Sequence, residues 1–249
     1  MIKKILLVVS LLISGAFADK LNVAIAANVS YAIGELKAEF NKIYPDIEIH
    51  ETLTSSGKLT AQIKNGAPFD IFMSANMKFP EALYADGLAV TKPVVYAQGS
   101  LAYLSSKQLD YSKGIDLVTG SDIKKIAIAN PKTAPYGKAA VEAMTNGKVY
   151  DKVKANLVFA ESISQTVTYA LTATDVGFIA KSTLYSDKMK QYKKGVNWED
   201  VDPKLYTPIN QGIVLLKKAE NDPSAKAFYD FMLSEKAKKI LIAYGYLVP

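Results

Sequence analysis

The residues best suited to chemistry in this sequence form the hydroxyl-rich run Thr54-Ser55-Ser56-Gly57-Lys58. Apolar residues alternate over 47–53 before the run, which predicts a strand, and recur at helical spacing over 59–63 after it. Hydroxyls at a strand-to-helix turn can donate hydrogen bonds, and the first backbone N–H groups of a helix are unpaired. The run therefore predicts an anion site, although a plain helix cap uses the same residue types.

The sequence contains few residues that could act in catalysis or bind a metal ion. The chain has no Cys and a single His, His50, which lies in the alternating segment and is expected to face solvent. Ser-His-Asp catalysis and zinc coordination are therefore excluded. Gly57-Lys58 and Gly137-Lys138 both depart from the phosphate-loop pattern, and no two carboxylates form a defensible acid–base pair. The 15 tyrosines include no Tyr-Tyr pair and favour packing over iron ligation. We expect no enzyme activity and no cofactor.

The basic residues argue against a nucleic-acid partner. All 30 are Lys, and the formal net charge is +6. Without Arg, the chain lacks the bidentate guanidinium fork that usually grips phosphate or carboxylate. The lysines are spread along the sequence apart from short pairs, which is typical of solvated surface charge.

The N-terminus has the three parts of a signal peptide. Lys3 and Lys4 precede an apolar run over 5–13, and Ala16-Phe17-Ala18 provides a small-x-small cleavage site before Asp19. The run is too short for a transmembrane anchor of about 20 residues. Residues 1–18 are thus predicted to be removed on export, most simply to a bacterial periplasm, which leaves a soluble chain beginning at Asp19.

Strand and helix patterns alternate along the rest of the chain. Strands are predicted over 21–25, 47–53, 70–74, 94–96, 101–104, 126–129, 157–159, 177–180 and 207–216, with helical stripes after most of them. This alternation predicts an α/β fold with largely parallel sheets. In such sheets ligands bind beyond the carboxyl ends of the strands, where the loops at Asn28, Ser56, Tyr136 and Ile163 lie.

Several short segments, in this order and at this spacing, resemble the periplasmic molybdate-binding proteins that supply ABC transporters. They are Ala26-Ala27-Asn28, Ser55-Ser56-Gly57 with Leu59 and Gln62-Ile63, Gly66-Ala67-Pro68-Phe69-Asp70-Ile71-Phe72, Asn130-Pro131 with Pro135-Tyr136-Gly137, Ala160-Glu161-Ser162-Ile163, Gly177-Phe178-Ile179, and Lys226-Ala227-Phe228-Tyr229-Asp230-Phe231. Together they cover essentially the whole chain after residue 18.

The resemblance implies a two-lobed periplasmic binding protein of type II, with a mostly parallel, helix-flanked sheet in each lobe and the ligand in the cleft. One lobe would comprise residues 19–98 and 207–249, and the other residues 99–206. The resemblance also implies that neutral hydrogen bonds hold the oxyanion. Asn28 and Ser56 would bind it from the first lobe, and the backbone N–H groups of Tyr136 and Ile163 from the second.

Two positions depart from the family pattern. Many members carry Ser where Asn28 stands, but an amide can still donate. Many also carry a Tyr hydroxyl at the position of Ala180, which offers no side-chain donor here. The coordination shell is therefore expected to differ in detail, which leaves the preference between molybdate and tungstate open.

The leading hypothesis is a monomeric, non-enzymatic receptor that closes around molybdate or tungstate and delivers it to the membrane permease of an ABC importer. A receptor for sulfate or another tetrahedral oxyanion is the alternative within this class. An enzyme on the same architecture is disfavoured by the missing Cys and the single His. A regulatory effector-binding domain is disfavoured by the signal peptide and by the lack of an N-terminal helix-turn-helix.

Overall fold

The computed structural model describes residues 19–249, so the predicted signal peptide lies outside the described part of the chain. The strands are β1 (Asp19–Ala26), β2 (Ile47–Thr54), β3 (Ile71–Met73), β4 (Val94–Gly99), β5 (Leu101–Leu104), β6 (Ile126–Ala129), β7 (Leu157–Ala160), β8 (Val176–Ala180), β9 (Trp198–Asp200) and β10 (Ile209–Leu215). The α-helices are α1 (Ile33–Asn41), α2 (Ser56–Lys64), α3 (Lys78–Ala85), α4 (Pro135–Asn146), α5 (Tyr150–Val153), α6 (Ile163–Thr172), α7 (Pro223–Met232) and α8 (Glu235–Ala243).

The strands form two five-stranded sheets with the spatial orders β2-β1-β3-β10-β4 and β7-β6-β8-β5-β9. In the first sheet β10 is antiparallel to both of its neighbours, and in the second β5 is antiparallel to both of its own. The other pairs are parallel. The sheets are thus mixed, with one reversed strand in each. We call the first sheet with α1–α3, α7 and α8 the first lobe, and the second sheet with α4–α6 the second lobe.

Helices cover both faces of each sheet because the central strands are buried on both sides. In the first lobe Phe40 of α1 packs edge-on against Phe228 and Phe231 of α7 in one core cluster. Leu59 of α2 and Leu83 of α3 belong to a cluster on the other side. The second lobe likewise has two core clusters. This layering is the α/β arrangement that the alternating pattern predicts.

The chain crosses between the lobes twice. It leaves the first sheet at the end of β4 and enters β5 after the single residue Ser100, and it returns between β9 and β10. The reversed direction of β10 follows from this return. Sequence patterns did not reveal β9 or the short helix α5, since segments of three and four residues are too short for a periodic signal. Within residues 19–249 no helix has the length and apolarity needed to span a bilayer.

Candidate ligand-binding site

Parallel pairing in each lobe brings the predicted loops to one edge of its sheet. Ala26 at the end of β1 is in register with Thr54 at the end of β2, so the segments that carry Asn28 and Ser56 leave the sheet side by side. In the second lobe Ala129 and Ala160 end β6 and β7 in the same register. Helices α4 and α6 begin just beyond them, which places Tyr136 and Ile163 together.

These two edges face each other and enclose a small cavity between the lobes. The structure brings together all four predicted residues, Asn28, Ser56, Tyr136 and Ile163, and adds Ser55; the remaining lining residues are Ala26, Ala27, Ala75, Ala134 and Pro135. The empty space among them is about 190 Å³. No side chain around it carries a charge. The cavity therefore suits one small ligand held by neutral groups.

The two serines at the start of α2 differ in their hydrogen bonds. The Ser56 hydroxyl accepts from the backbone N–H of Ala75 at 2.9 Å, which leaves its own proton free to donate. Ser55 is the residue before the helix, but its side chain makes no capping hydrogen bond. The Ser55 hydroxyl is buried and has no partner in residues 19–249. Both hydroxyls can thus donate to a ligand without breaking an existing bond.

Asn28 follows β1 in a short 3₁₀ turn and is almost completely buried. Its amide nitrogen donates to Gln211 Oε1 at 2.9 Å and to the Tyr246 hydroxyl at 3.0 Å. Its backbone carbonyl accepts from Tyr246 at 2.9 Å and from Ser182 of the second lobe at 3.2 Å. The amide oxygen, Oδ1, is buried and has no partner among the described residues.

The second lobe contributes the N-terminal ends of two helices. Tyr136 and Ile163 lie in the first turns of α4 and α6, where backbone N–H groups have no partner within the helix. Gly137 permits this arrangement at α4, because a Cβ there would lie 2.0 Å from the carbonyl oxygen of Ala129. The helix dipoles add partial positive charge at the same points, which favours an anion.

The hydroxyls behind the cavity are neutral. Burial raises the pKa of the Tyr96 and Tyr136 phenols well above their usual range, and Tyr246 nearby adds to this effect. Burial also raises the pKa of Tyr246 to about 12. All three therefore keep their protons at neutral pH, and the cavity wall presents hydrogen-bonding groups without net charge.

Direct contacts at the cavity mouth hold the two lobes together. The Gly57 N–H of α2 donates to the carbonyl oxygen of Thr133 at 2.8 Å. Lys58 forms an ion pair with Glu161 at 2.8 Å, and this ammonium holds the pKa of the Glu161 carboxyl below its usual range. Because both side chains of the pair are substantially exposed, the ion pair adds little stability. The backbone contact at Gly57 fixes how closely the lobes approach.

The single histidine lies outside the cavity lining. His50 is exposed beside Glu48, away from the cavity. No group of three or more potential metal ligands occurs within residues 19–249. Sequence reasoning missed Gln211 and Tyr246, which lie far along the chain from Asn28 and follow no motif. The only available signal was that Gln211 is a polar residue on the same face of a predicted strand as Ile209 and Ile213.

Two α/β lobes, joined by two crossings and closed over a small uncharged cavity, define a ligand-binding receptor. The chain matches the family model described as bacterial extracellular solute-binding protein over residues 21–247, and it belongs to that family.

Within this family, the chain is similar in sequence and in structure to molybdate-binding proteins. The chain is 34% identical to the molybdate-binding protein ModA of Azotobacter vinelandii over 241 residues, which covers 95% of this chain and 93% of the relative. It is 36% identical to ModA of Rhodobacter capsulatus over 239 residues, covering 93% and 90%. The solved periplasmic molybdate-binding protein of Azotobacter vinelandii superposes with a TM-score of 0.84 at 31% identity, covering 92% of this chain and 99% of that one. These matches confirm the predicted resemblance and the two-lobed fold.

Proposed function

We propose that this protein captures molybdate and tungstate between its lobes and delivers them to the membrane permease of an ABC importer. The observation that carries the proposal is the closed, uncharged cavity, where Ser55, Ser56 and two helix N-termini converge. Asn28, Ser56, Tyr136 and Ile163 are the proposed ligand-binding residues. The names of the relatives, which describe molybdate binding, support the choice of oxyanion.

Protonation and size set the expected selectivity. Molybdate and tungstate are fully deprotonated at neutral pH, so each oxygen can accept a hydrogen bond. Phosphate still carries a proton that needs an acceptor, and a buried unpaired group costs about 1–3 kcal/mol. Sulfate has no such proton but is smaller, so donors fixed on two closed lobes cannot all reach it at ideal length. A receptor for sulfate is the alternative, and measured affinities for sulfate and molybdate distinguish the two.

The proposal predicts a ranked affinity for four anions. Molybdate and tungstate should bind tightly, sulfate weakly and phosphate negligibly, when each is titrated calorimetrically into ligand-free protein at fixed pH and ionic strength. Elemental analysis for molybdenum and tungsten in protein isolated from its host provides an independent check. If sulfate bound as tightly as molybdate, the protein would be a general tetrahedral-oxyanion receptor, and the assignment would be wrong.

Single serine substitutions test the first-lobe donors. Ser56→Ala removes one charge-assisted hydrogen bond and leaves the backbone N–H, so affinity should fall by about 1.5–3 kcal/mol, or roughly ten- to a hundredfold. Asn28→Ala should act similarly. Ser55→Ala removes a hydroxyl that has no partner among residues 19–249, and it should weaken binding with little change in melting temperature.

The helix-cap interpretation predicts a different affinity for these variants. A residue that only caps a helix would lower the melting temperature and leave affinity unchanged. Measuring both quantities on each variant therefore separates the two roles, and wild-type affinity in both Ser56→Ala and Asn28→Ala would remove these residues from the site.

We further propose that residues 1–18 form a cleaved signal peptide and that the protein acts as a monomer in the periplasm. We also propose that one lobe comprises residues 19–98 with 207–249 and that the other comprises residues 99–206. The membership of the two sheets supports these lobe limits. The mass of protein recovered from a periplasmic fraction should match a chain that begins at Asp19. A mass that includes residues 1–18 would contradict export by cleavage.

A further inference from the structure

The Asn28 amide is oriented in a way that does not suit an oxyanion. Both of its N–H donors are directed to protein groups, Gln211 Oε1 and the Tyr246 hydroxyl. The end without a partner is Oδ1, an acceptor, in a side chain that lines the cavity and is 1% exposed. An acceptor facing an oxyanion repels it, so Asn28 can donate to the ligand only after its amide turns by about 180°.

The surrounding residues permit this turn if a second amide turns with it. After rotation, Asn28 Oδ1 occupies the place of its nitrogen and accepts from the Tyr246 hydroxyl. The Asn28 carbonyl then keeps the Ser182 hydroxyl as its donor. Gln211 Oε1 then faces Asn28 Oδ1, which is unfavourable because both oxygens are hydrogen-bond acceptors. When the Gln211 amide also turns, Nε2 donates to Asn28 Oδ1 and no acceptors face each other.

The hydroxyls on the other side of Gln211 accommodate both states. In the structure Tyr96 donates to Gln211 Oε1 at 2.9 Å, and Gln211 Nε2 donates to the Tyr136 hydroxyl at 3.1 Å. After rotation Tyr96 accepts and Tyr136 donates, as phenols can do either. One hydroxyl proton is left over in each state, that of Tyr136 before and that of Tyr96 after. The difference between the states is therefore decided at Asn28 and the ligand.

We propose that Asn28 and Gln211 turn together when the ligand binds, so that Gln211 is the positioning residue that fixes the Asn28 amide as a donor. This inference rests on the proposed function and adds to it a residue outside the cavity lining. We call the two amides of Asn28 and Gln211, together with the Tyr136 hydroxyl, the relay. The relay connects both lobes, because Gln211 lies on β10 of the first lobe and Tyr136 on α4 of the second.

Side-chain amide resonances of the ¹⁵N-labelled wild-type protein test the relay directly, with Gln211→Met and Asn28→Ala used for assignment. On addition of molybdate, the NH₂ pairs of Asn28 and Gln211 should both shift in step with the backbone amides of Ser56 and Tyr136. If the backbone amides shifted and the two side-chain pairs did not, the relay would be overturned while the receptor function stood. If no resonance responded to molybdate, tungstate or sulfate, both would fall together.

Two substitutions at Gln211 give a second readout. Gln211→Glu places an acceptor-only group there at neutral pH, which holds the Asn28 nitrogen and keeps Oδ1 toward the cavity. Gln211→Met removes the partner and leaves Asn28 free to turn. The Glu variant should bind molybdate about tenfold more weakly than the Met variant and should recover as pH falls. Because its carboxylate also repels the dianion, the deciding readout is the Asn28 NH₂ pair, which should shift with molybdate in the Met variant and not in the Glu variant. Equal affinities with no pH dependence would show that Gln211 only packs.

Discussion

Asn28→Asp should all but abolish molybdate binding at neutral pH. The change keeps the shape of the side chain but places a carboxylate in a closed, uncharged cavity beside a dianion. Two unit charges about 4 Å apart repel by about 4 kcal/mol at an effective dielectric constant near 20, which corresponds to roughly a thousandfold in affinity. The second ligand charge adds to this loss, so calorimetry should detect no binding at micromolar concentrations.

The pH dependence of this variant identifies the cause. Burial and the dianion both disfavour the charged carboxylate, so the pKa of the introduced Asp should lie above its ordinary value. Affinity should therefore rise as pH falls from 7.5 to 5.5, while the wild type stays nearly constant. Asn41→Asp adds the same charge on exposed α1 and should bind like the wild type. Wild-type affinity in Asn28→Asp at pH 7.5 would mean that no anion lies near this residue.

Gly57→Ala should prevent the lobes from closing fully. A Cβ at Gly57 would lie 2.9 Å from Thr133 Cα and 3.0 Å from its carbonyl oxygen, so these backbone atoms of the second lobe must move away from α2. Overpacking of this kind costs about 1–3 kcal/mol, which predicts a loss of roughly 5- to 150-fold in affinity. The loss should appear although no proposed ligand-binding side chain has changed.

Gly34→Ala is the matched control, since its added Cβ meets no atom within 4 Å and the residue lies on exposed α1. It should bind normally and gain about 0.5–1 kcal/mol of stability from improved helix propensity. Small-angle scattering with saturating molybdate should show a larger radius of gyration for Gly57→Ala than for the control. Equal radii and affinities would show that the contact between Gly57 and Thr133 does not limit closure.

The sequence allowed prediction of the residues around the cavity because the information was local. Alternating and helical apolar spacing located the ends of β1, β2, β6 and β7, and parallel pairing brings such ends together. The proposed ligand-binding residues stand two to seven positions after these ends, and the resemblance to the molybdate-binding family selected them. The single reversed strand in each sheet was not predicted, because strand direction depends on which segments pair rather than on periodicity.

The residues that hold Asn28 in place could not be predicted from the sequence, because they are far from it along the chain. Gln211 and Tyr246 contact Asn28 across separations of 183 and 218 residues. Nothing in the local pattern around a buried strand Gln or a C-terminal Tyr shows which group it will meet. Ser55 was visible within its motif, but only the structure distinguishes its unpartnered hydroxyl from an ordinary helix cap.

The double crossing has a consequence for the order in which the molecule can be assembled. The strands of the second lobe lie in one continuous stretch between residues 101 and 200, whereas the first lobe still needs β10, α7 and α8. The N-terminal segments must therefore wait for the C-terminal ones, although domains generally fold as they emerge from the ribosome. Leu247, bridged to Gln98, anchors the chain end that carries Tyr246. A chain truncated just before Tyr246 would keep all four proposed ligand-binding residues and lack the hydroxyl that holds Asn28.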